Sequence, residues 1–174
     1  MPMKKTVVTF GVISGVVSSL MMLGTIPFMH RIGFDRGLIV GYTAIVLSFL
    51  LVFFGIRSYR EQAGGVISFG RGFAVGILIT LISCLFYIAT WQLIYFKLQP
   101  DFMDKWEAYA VEHVRAEGGG PEKIEATRRQ MQSFKQAYDN PLTNAAYTFI
   151  EPFPVGLLVT VISAAILRRK SPAA

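Results

Sequence analysis

The stretch GFAVGILITLISCLFYIATWQLIYF, from Gly72 to Phe96, decides the fold. It runs 25 residues without a charge. A helix rising about 1.5 Å per residue needs about 20 residues to cross about 30 Å of hydrocarbon. Lipid cannot hydrogen-bond a peptide group, so such a run must be a helix that satisfies its own amides. Period-two alternation, which a membrane barrel would need, is absent.

Three more runs of this kind flank it. Thr6 to Met29 is 24 uncharged residues, Gly37 to Ile56 is 20, and Asn140 to Leu167 is interrupted only by Glu151. The expected architecture is an all-α bundle of four transmembrane helices, at about 6–29, 37–57, 70–97 and 142–167, forming a single membrane domain. The first run follows Lys4 and Lys5 as a signal peptide would. Its apolar core, however, is longer than the usual 7 to 15 residues and continues past the small residues Val17-Ser18-Ser19, so it reads as an uncleaved span.

Composition excludes the main alternatives. Of 174 residues, 53% are hydrophobic and 16% charged, with a mean hydropathy of +0.48. That is more apolar surface than one soluble core of this size hides. The net charge of +6 does not gather on a polar, aromatic-studded face, so nucleic acid is not an expected partner. Cys84 is the single cysteine and sits inside an apolar run, which rules out an internal disulfide and reads as a small buried hydrophobe.

Lysine and arginine set the expected orientation. With the amino terminus in the cytoplasm, Lys4, Lys5, Arg57, Arg60, Arg71, Arg168, Arg169 and Lys170 all fall inside, and Arg31 and Arg36 outside. The third connection opposes the rule with seven cations, Lys97 included, interleaved with eight acids from Asp101 to Asp139. The resulting expectation is a multi-pass protein of a bacterial cytoplasmic membrane with both termini cytoplasmic. Arg57, Arg60 and Arg71 are candidate inner headgroup anchors, and Ser68 is placed to cap the third helix.

Small residues recur at the spacing that lets helices approach: Gly11 and Gly15, Gly37 and Gly41, Gly72 and Gly76, Gly156 and Thr160. Their presence in all four spans suggests tight packing within one chain rather than a dimer seam, although a homo-oligomer stays open. Tyr87, Trp91 and Tyr95 recur every four residues, and Tyr147, Phe149 and Phe153 cluster, as an aromatic belt at the outer interface would.

Residues 98–140 change character. Phe102, Trp106, Ala110 and Val114 form one helical stripe, and Ile124, Met131, Phe134 and Tyr138 another, with Gly118-Gly119-Gly120 between them and Pro121 in a first turn. The pattern predicts an extramembrane amphipathic helical hairpin whose stripes face each other, the bilayer surface or the tops of the spans. It is the natural surface for a protein partner. His113 and Glu117 have the i, i+4 spacing of two metal ligands, but with no further ligand nearby they read as a solvated face, as do Arg128 and Arg129.

Glu151 has two readings. The 16 residues from Pro152 to Leu167 span about 24 Å, which puts the acid just inside the outer edge of the apolar layer. It either occupies the first turn of a helix restarting at Pro152, where the positive end of the helix dipole favours an acid, or belongs to an outer-leaflet polar cluster with Gln92 and Tyr95. Pro27 and His30 are additional candidates in that layer, with Lys97 or Arg31 closing the cluster.

The segments FFGIRSYRE, GGVISFGRGFAVG, FYIATWQLIYF, PDFMDKW, MQSFKQAYDNP and FIEPFPVGLLVTVISAAILRRK together resemble a family of bacterial membrane proteins known as domain of unknown function 4199, from about Lys4 to Lys170. The resemblance implies four membrane helices with an extramembrane segment before the last, and implies no activity, substrate or cofactor. Arg57, Tyr59, Arg60, Ser68 and Phe69 match its signature on the inner side, and Asn140, Pro141, Glu151, Pro154 and Gly156 on the outer side.

The residues contain no nucleophile–base pair, phosphate loop or metal constellation. A non-enzymatic envelope or partner-binding protein without cofactor is therefore expected. The alternative is a small transporter or channel subunit that uses Glu151 as a polar relay.

Overall fold

The computed structural model describes residues 3–169, apart from the side chains of Met29 and His30. At its start, α1 (Met3–Thr25) runs uninterrupted through the first apolar stretch, and a 3-10 turn at Ile26–Phe28 stops it where Pro27 cannot continue the hydrogen-bond ladder. The chain turns back into α2 (Met29–Gln62), which is broken near its start at Gly33. There φ is 71° and ψ 170°, a backbone region that is essentially reserved for glycine.

After the turn at Gly64 and Gly65, α3 (Phe69–Leu93) begins. Its cap is Ser68, whose hydroxyl accepts from the Arg71 amide at 3.3 Å, as the sequence predicts. A π turn at Ile94–Leu98 closes α3. Then follow α4 (Phe102–Ala116), α5 (Pro121–Tyr138), α6 (Pro141–Ile150) and α7 (Pro152–Leu167). Pro121 and Pro141 both stand in first turns, where their missing amides cost nothing. Asn140 caps α6 by accepting from the amides of Leu142 and Thr143.

Among the described residues, four stretches are long and apolar enough to cross a membrane: Met3–Phe28, Arg31–Gln62, Phe69–Leu98 and Pro141–Leu167. They alternate in direction. Gly11 and Gly15 meet Ile82 and Phe86, so α1 and α3 run parallel, whereas Gly72 and Gly76 meet Ala164 and Thr160, so α3 and α7 run antiparallel. The end of α7 returns to the α2–α3 connection, where the Arg169 amide donates to the Ile67 carbonyl at 3.0 Å. That is an isolated bridge, and no strand occurs among the described residues.

The seam between the spans mixes Ile45, Phe49, Val52, Ile56, Val75 and Ile79 with buried hydroxyls. Ser14 donates to the Ser48 carbonyl at 2.9 Å and lies 3.0 Å from the Ser83 hydroxyl; Thr80 and Thr160 meet at 3.1 Å. Lipid tails are as apolar as leucine, so close packing and such bonds, rather than water exclusion, hold membrane helices together. At Gly76 an added Cβ would stand 2.8 Å from both Ile56 Cδ1 and Thr160 Cγ2, so glycine is what permits the α3–α7 approach. The second span departs from the expected pattern. Around Gly37 and Gly41 a Cβ would meet nothing within 4 Å, so this pair brings no helices together.

At the opposite end of the bundle from Ile67 and Arg169, α4 and α5 pack on one another. Arg128 reaches Glu107 at 3.5 Å, and Lys135 pairs with Asp104. That bond raises the Lys135 pKa above its ordinary value. The apolar stripe of α4 turns towards the spans, where Trp106 packs on Phe34 at 5.0 Å between ring centres and Phe102 packs on Trp91 at 5.0 Å.

Candidate functional site: an aromatic chamber above Glu151

The fourth span is two helices because of its prolines. The ring nitrogens of Pro152 and Pro154 cannot donate to the carbonyls of Thr148 and Ile150 four residues back, and the ladder is interrupted at Glu151. Glu151 itself keeps helical angles, φ −70° and ψ −59°, but its side chain caps no amide of α7. It turns instead to α3, where the Tyr87 hydroxyl donates to Glu151 Oε2 at 3.0 Å.

This is the first of four links between the third span and the antiparallel segment approaching α7. Trp91 Nε1 donates to the Tyr138 hydroxyl at 2.9 Å. Gln92 donates to the Pro141 carbonyl at 2.8 Å and, at 3.4 Å, to Asn144 Oδ1. Tyr95 donates to Asp139 Oδ1 at 2.6 Å. Glu151, Gln92 and Tyr95 therefore lie along one seam, but each has its own partner, and they do not converge on a single polar cluster.

The depth of the acid also differs from the count along the sequence. That count, with Gln92 only five residues before Lys97, sets Glu151 level with Gln92; the structure sets it level with Tyr87, five residues or about 7.5 Å nearer the start of α3. The reason is α6. Ten helical residues precede Glu151 in the same span, so the acid is not at its rim. Among described residues, neither Arg31 nor Lys97 forms an ion pair with it, and the side chain of His30 lies outside the described residues.

Above Glu151 lies a cavity of about 540 Å³. Its walls are rings: Phe34 from α2, Trp91 from α3, Phe102 and Trp106 from α4, Phe134 and Tyr138 from α5, and Tyr147 from α6. Met22 and Thr25 close it on the α1 side, and Tyr87, Thr148 and Glu151 supply its polar floor. Gly37 and Gly41 complete it. Their spacing, read from the sequence as a helix contact, instead leaves two bare positions on the α2 wall, beside Phe34 and Leu38, and makes room. None of the described lining residues is Lys, Arg or His.

The roof is tied down at several points. Phe34 meets Phe102, Trp106 and Tyr109 at 6.0, 5.0 and 5.1 Å between ring centres. The Tyr109 hydroxyl donates to Asp35 on α2, a bond that raises the Tyr109 pKa. Burial, chiefly, raises that of Tyr138. Sequence reasoning missed this chamber, although its signals were present: the Tyr87–Trp91–Tyr95 stripe and the Phe102–Trp106 stripe are the two walls, read separately as a membrane belt and a hairpin face.

The three candidate headgroup anchors sit at the far end. Arg57 pairs with Glu61 at 2.9 Å on the exposed surface, the Arg60 carbonyl accepts from the amides closing α2, and Arg71 lies exposed in the first turn of α3. His113 and Glu117 are exposed at 3.5 Å, and no group of three metal-ligating side chains occurs among the described residues.

Among the described residues, four helical stretches of membrane length define the class: a multi-pass α-helical protein of the kind that spans a bilayer. The chain belongs to the family described as Protein of unknown function (DUF4199), whose model matches residues 9–169. No curated protein and no solved structure matches it.

Proposed function

We propose that this protein is a non-enzymatic receptor or carrier that holds a small apolar ligand in the chamber between its spans and an extramembrane α4–α5 hairpin. The single observation behind this reading is the cavity of about 540 Å³, within the 300–1,000 Å³ typical of small-molecule sites and walled by seven aromatic side chains from five helices. Such a wall takes up apolar surface without chemistry of its own. The host membrane in this reading is a bacterial cytoplasmic membrane with both termini inside. The cations Lys4, Lys5, Arg57, Arg60, Arg71, Arg168 and Arg169 support that orientation.

The hairpin as a docking surface for a protein partner takes a narrower form here. Its aromatic stripe is used as the chamber roof, so a partner would meet the charged outer faces of α4 and α5. A transporter subunit using Glu151 as a relay is the second reading, favoured by the position of the acid ten residues into the fourth span. Reconstituted Glu151→Gln protein carrying an unchanged flux would remove it.

The two tryptophans of the chain, Trp91 and Trp106, both line the chamber and test the main reading directly. Detergent-solubilised protein titrated with the neutral dye Nile red should show saturable energy transfer from tryptophan to dye. Gly41→Leu, which places a side chain in the chamber, should abolish the saturable part. Equal transfer in both proteins would overturn the proposal.

A further inference from the structure

We propose that the chamber is selective for a lipophilic organic monocation, whose apolar body packs among the rings and whose charge is neutralised by Glu151. The inference rests on the reading of the chamber as a ligand site and adds the chemical class of the ligand.

Charge balance comes first. Among the described lining residues Glu151 is the one acid, and its single described protein bond is from the neutral Tyr87 hydroxyl at 3.0 Å. An ionised carboxylate can accept about four hydrogen bonds, and enclosing it among apolar groups is costly unless a counter-charge is present. No described Lys, Arg or His lines the chamber to supply one. A bound cation completes the site. An anionic ligand would meet Glu151 with no described cation to offset it, and the phosphate of a zwitterionic headgroup would be equally unmatched.

The walls have the same preference. The faces of Trp, Tyr and Phe carry the negative lobe of the ring quadrupole and attract ammonium-type cations within about 6 Å of the ring centre. Trp91 and Trp106, the stronger rings for this purpose, both border the space. A bare metal ion is a poor fit, because Glu151 has no companion ligands: no group of three His, Cys, Asp or Glu occurs among the described residues. The size requirement points the same way. With Gly37 and Gly41 leaving room on the α2 wall between Phe34 and Leu38 and the facing rings, the space suits a bulky organic body rather than a hydrated inorganic ion.

The test compares two ions of nearly identical shape and opposite charge, tetraphenylphosphonium and tetraphenylborate, by quenching of tryptophan emission in detergent. Binding is counted as the saturable signal lost in Gly41→Leu. The wild-type chain should bind the phosphonium at least about tenfold more tightly than the borate. Glu151→Gln, which still accepts from Tyr87, should lose that preference, and Glu151→Asp should retain it. Equal binding of the two ions by wild type, with Nile red still bound, would overturn the cation assignment while leaving the ligand chamber intact. Failure of Nile red as well would take down both. Displacement of the phosphonium by phosphatidylcholine at matched concentration would assign the site to a lipid headgroup and overturn the free-cation proposal. Should Gly41→Leu fail to fold, the saturable signal that excess Nile red displaces from the wild-type chain is compared for the two ions instead.

Discussion

The Tyr87 hydroxyl donates to the Glu151 carboxylate at 3.0 Å across 64 residues of chain, joining the third span to the α6–α7 junction in the fourth. Pro152 and Pro154 free the backbone around the acid, and Tyr87 holds it on the chamber floor. Tyr87→Phe removes the donor and keeps the ring. Hydrogen bonds between membrane helices average about 0.6 kcal/mol and reach about 1.7, and this one serves a half-buried acid, so a loss of about 1 kcal/mol is expected. Unfolding in mixed micelles measures it; no loss would mean that the bond contributes nothing in solution.

The glycines separate into two kinds with opposite expected responses. Gly76→Ala drives a methyl to 2.8 Å from Ile56 and Thr160 and should cost about 1–3 kcal/mol. Gly41→Ala meets nothing within 4 Å and should be neutral, or stabilising by up to about 1 kcal/mol through helix propensity. Thermal unfolding of the pair side by side checks this. Equal destabilisation would place Gly41 in a helix contact after all.

Phe34 touches three rings of α4 and fastens the roof to the second span. Each aromatic pair contributes about 0.5–1.5 kcal/mol beyond burial, so Phe34→Ala should loosen α4 by about 1–3 kcal/mol. Amide hydrogen exchange should quicken in α4 while α1 and α3 keep their protection. Uniform quickening across all helices would show that the roof has no independent hold.

High pH should release the same roof. The bond to Asp35 raises the Tyr109 pKa, and the bond to Asp104 raises that of Lys135. A group whose pKa is raised by folding adds stability that is complete below its unfolded value and fades as pH climbs through the folded one. Both contributions are therefore intact below about pH 10 and decline above it. Limited proteolysis at the α4–α5 connection should accelerate above pH 10 in wild type. In Tyr109→Phe with Lys135→Met this added pH dependence should flatten; an unchanged profile would assign the opening to other groups.

Several elements could be read directly from local chemistry. The spans follow from apolar runs, the start of α3 from Ser68, the start of α5 from Pro121, and the break in the fourth span from Pro152. The position of Glu151 could not, because counting residues from the flanking cations treats each span as an isolated rod. Its true level depends on α6 lying along α3, and therefore on pairings 44 to 64 residues apart.

By itself, the sequence determined that the chain is helical and membrane-long in four places, because lipid requires every backbone amide to be satisfied locally and a run of apolar residues states that need one residue at a time. Only the tertiary structure decided that Gly37 and Gly41 open space instead of closing it, that two aromatic stripes face each other across a chamber, and that Glu151 meets Tyr87. Those outcomes depend on the rotation and depth of each helix against the others, which packing sets and hydropathy does not encode.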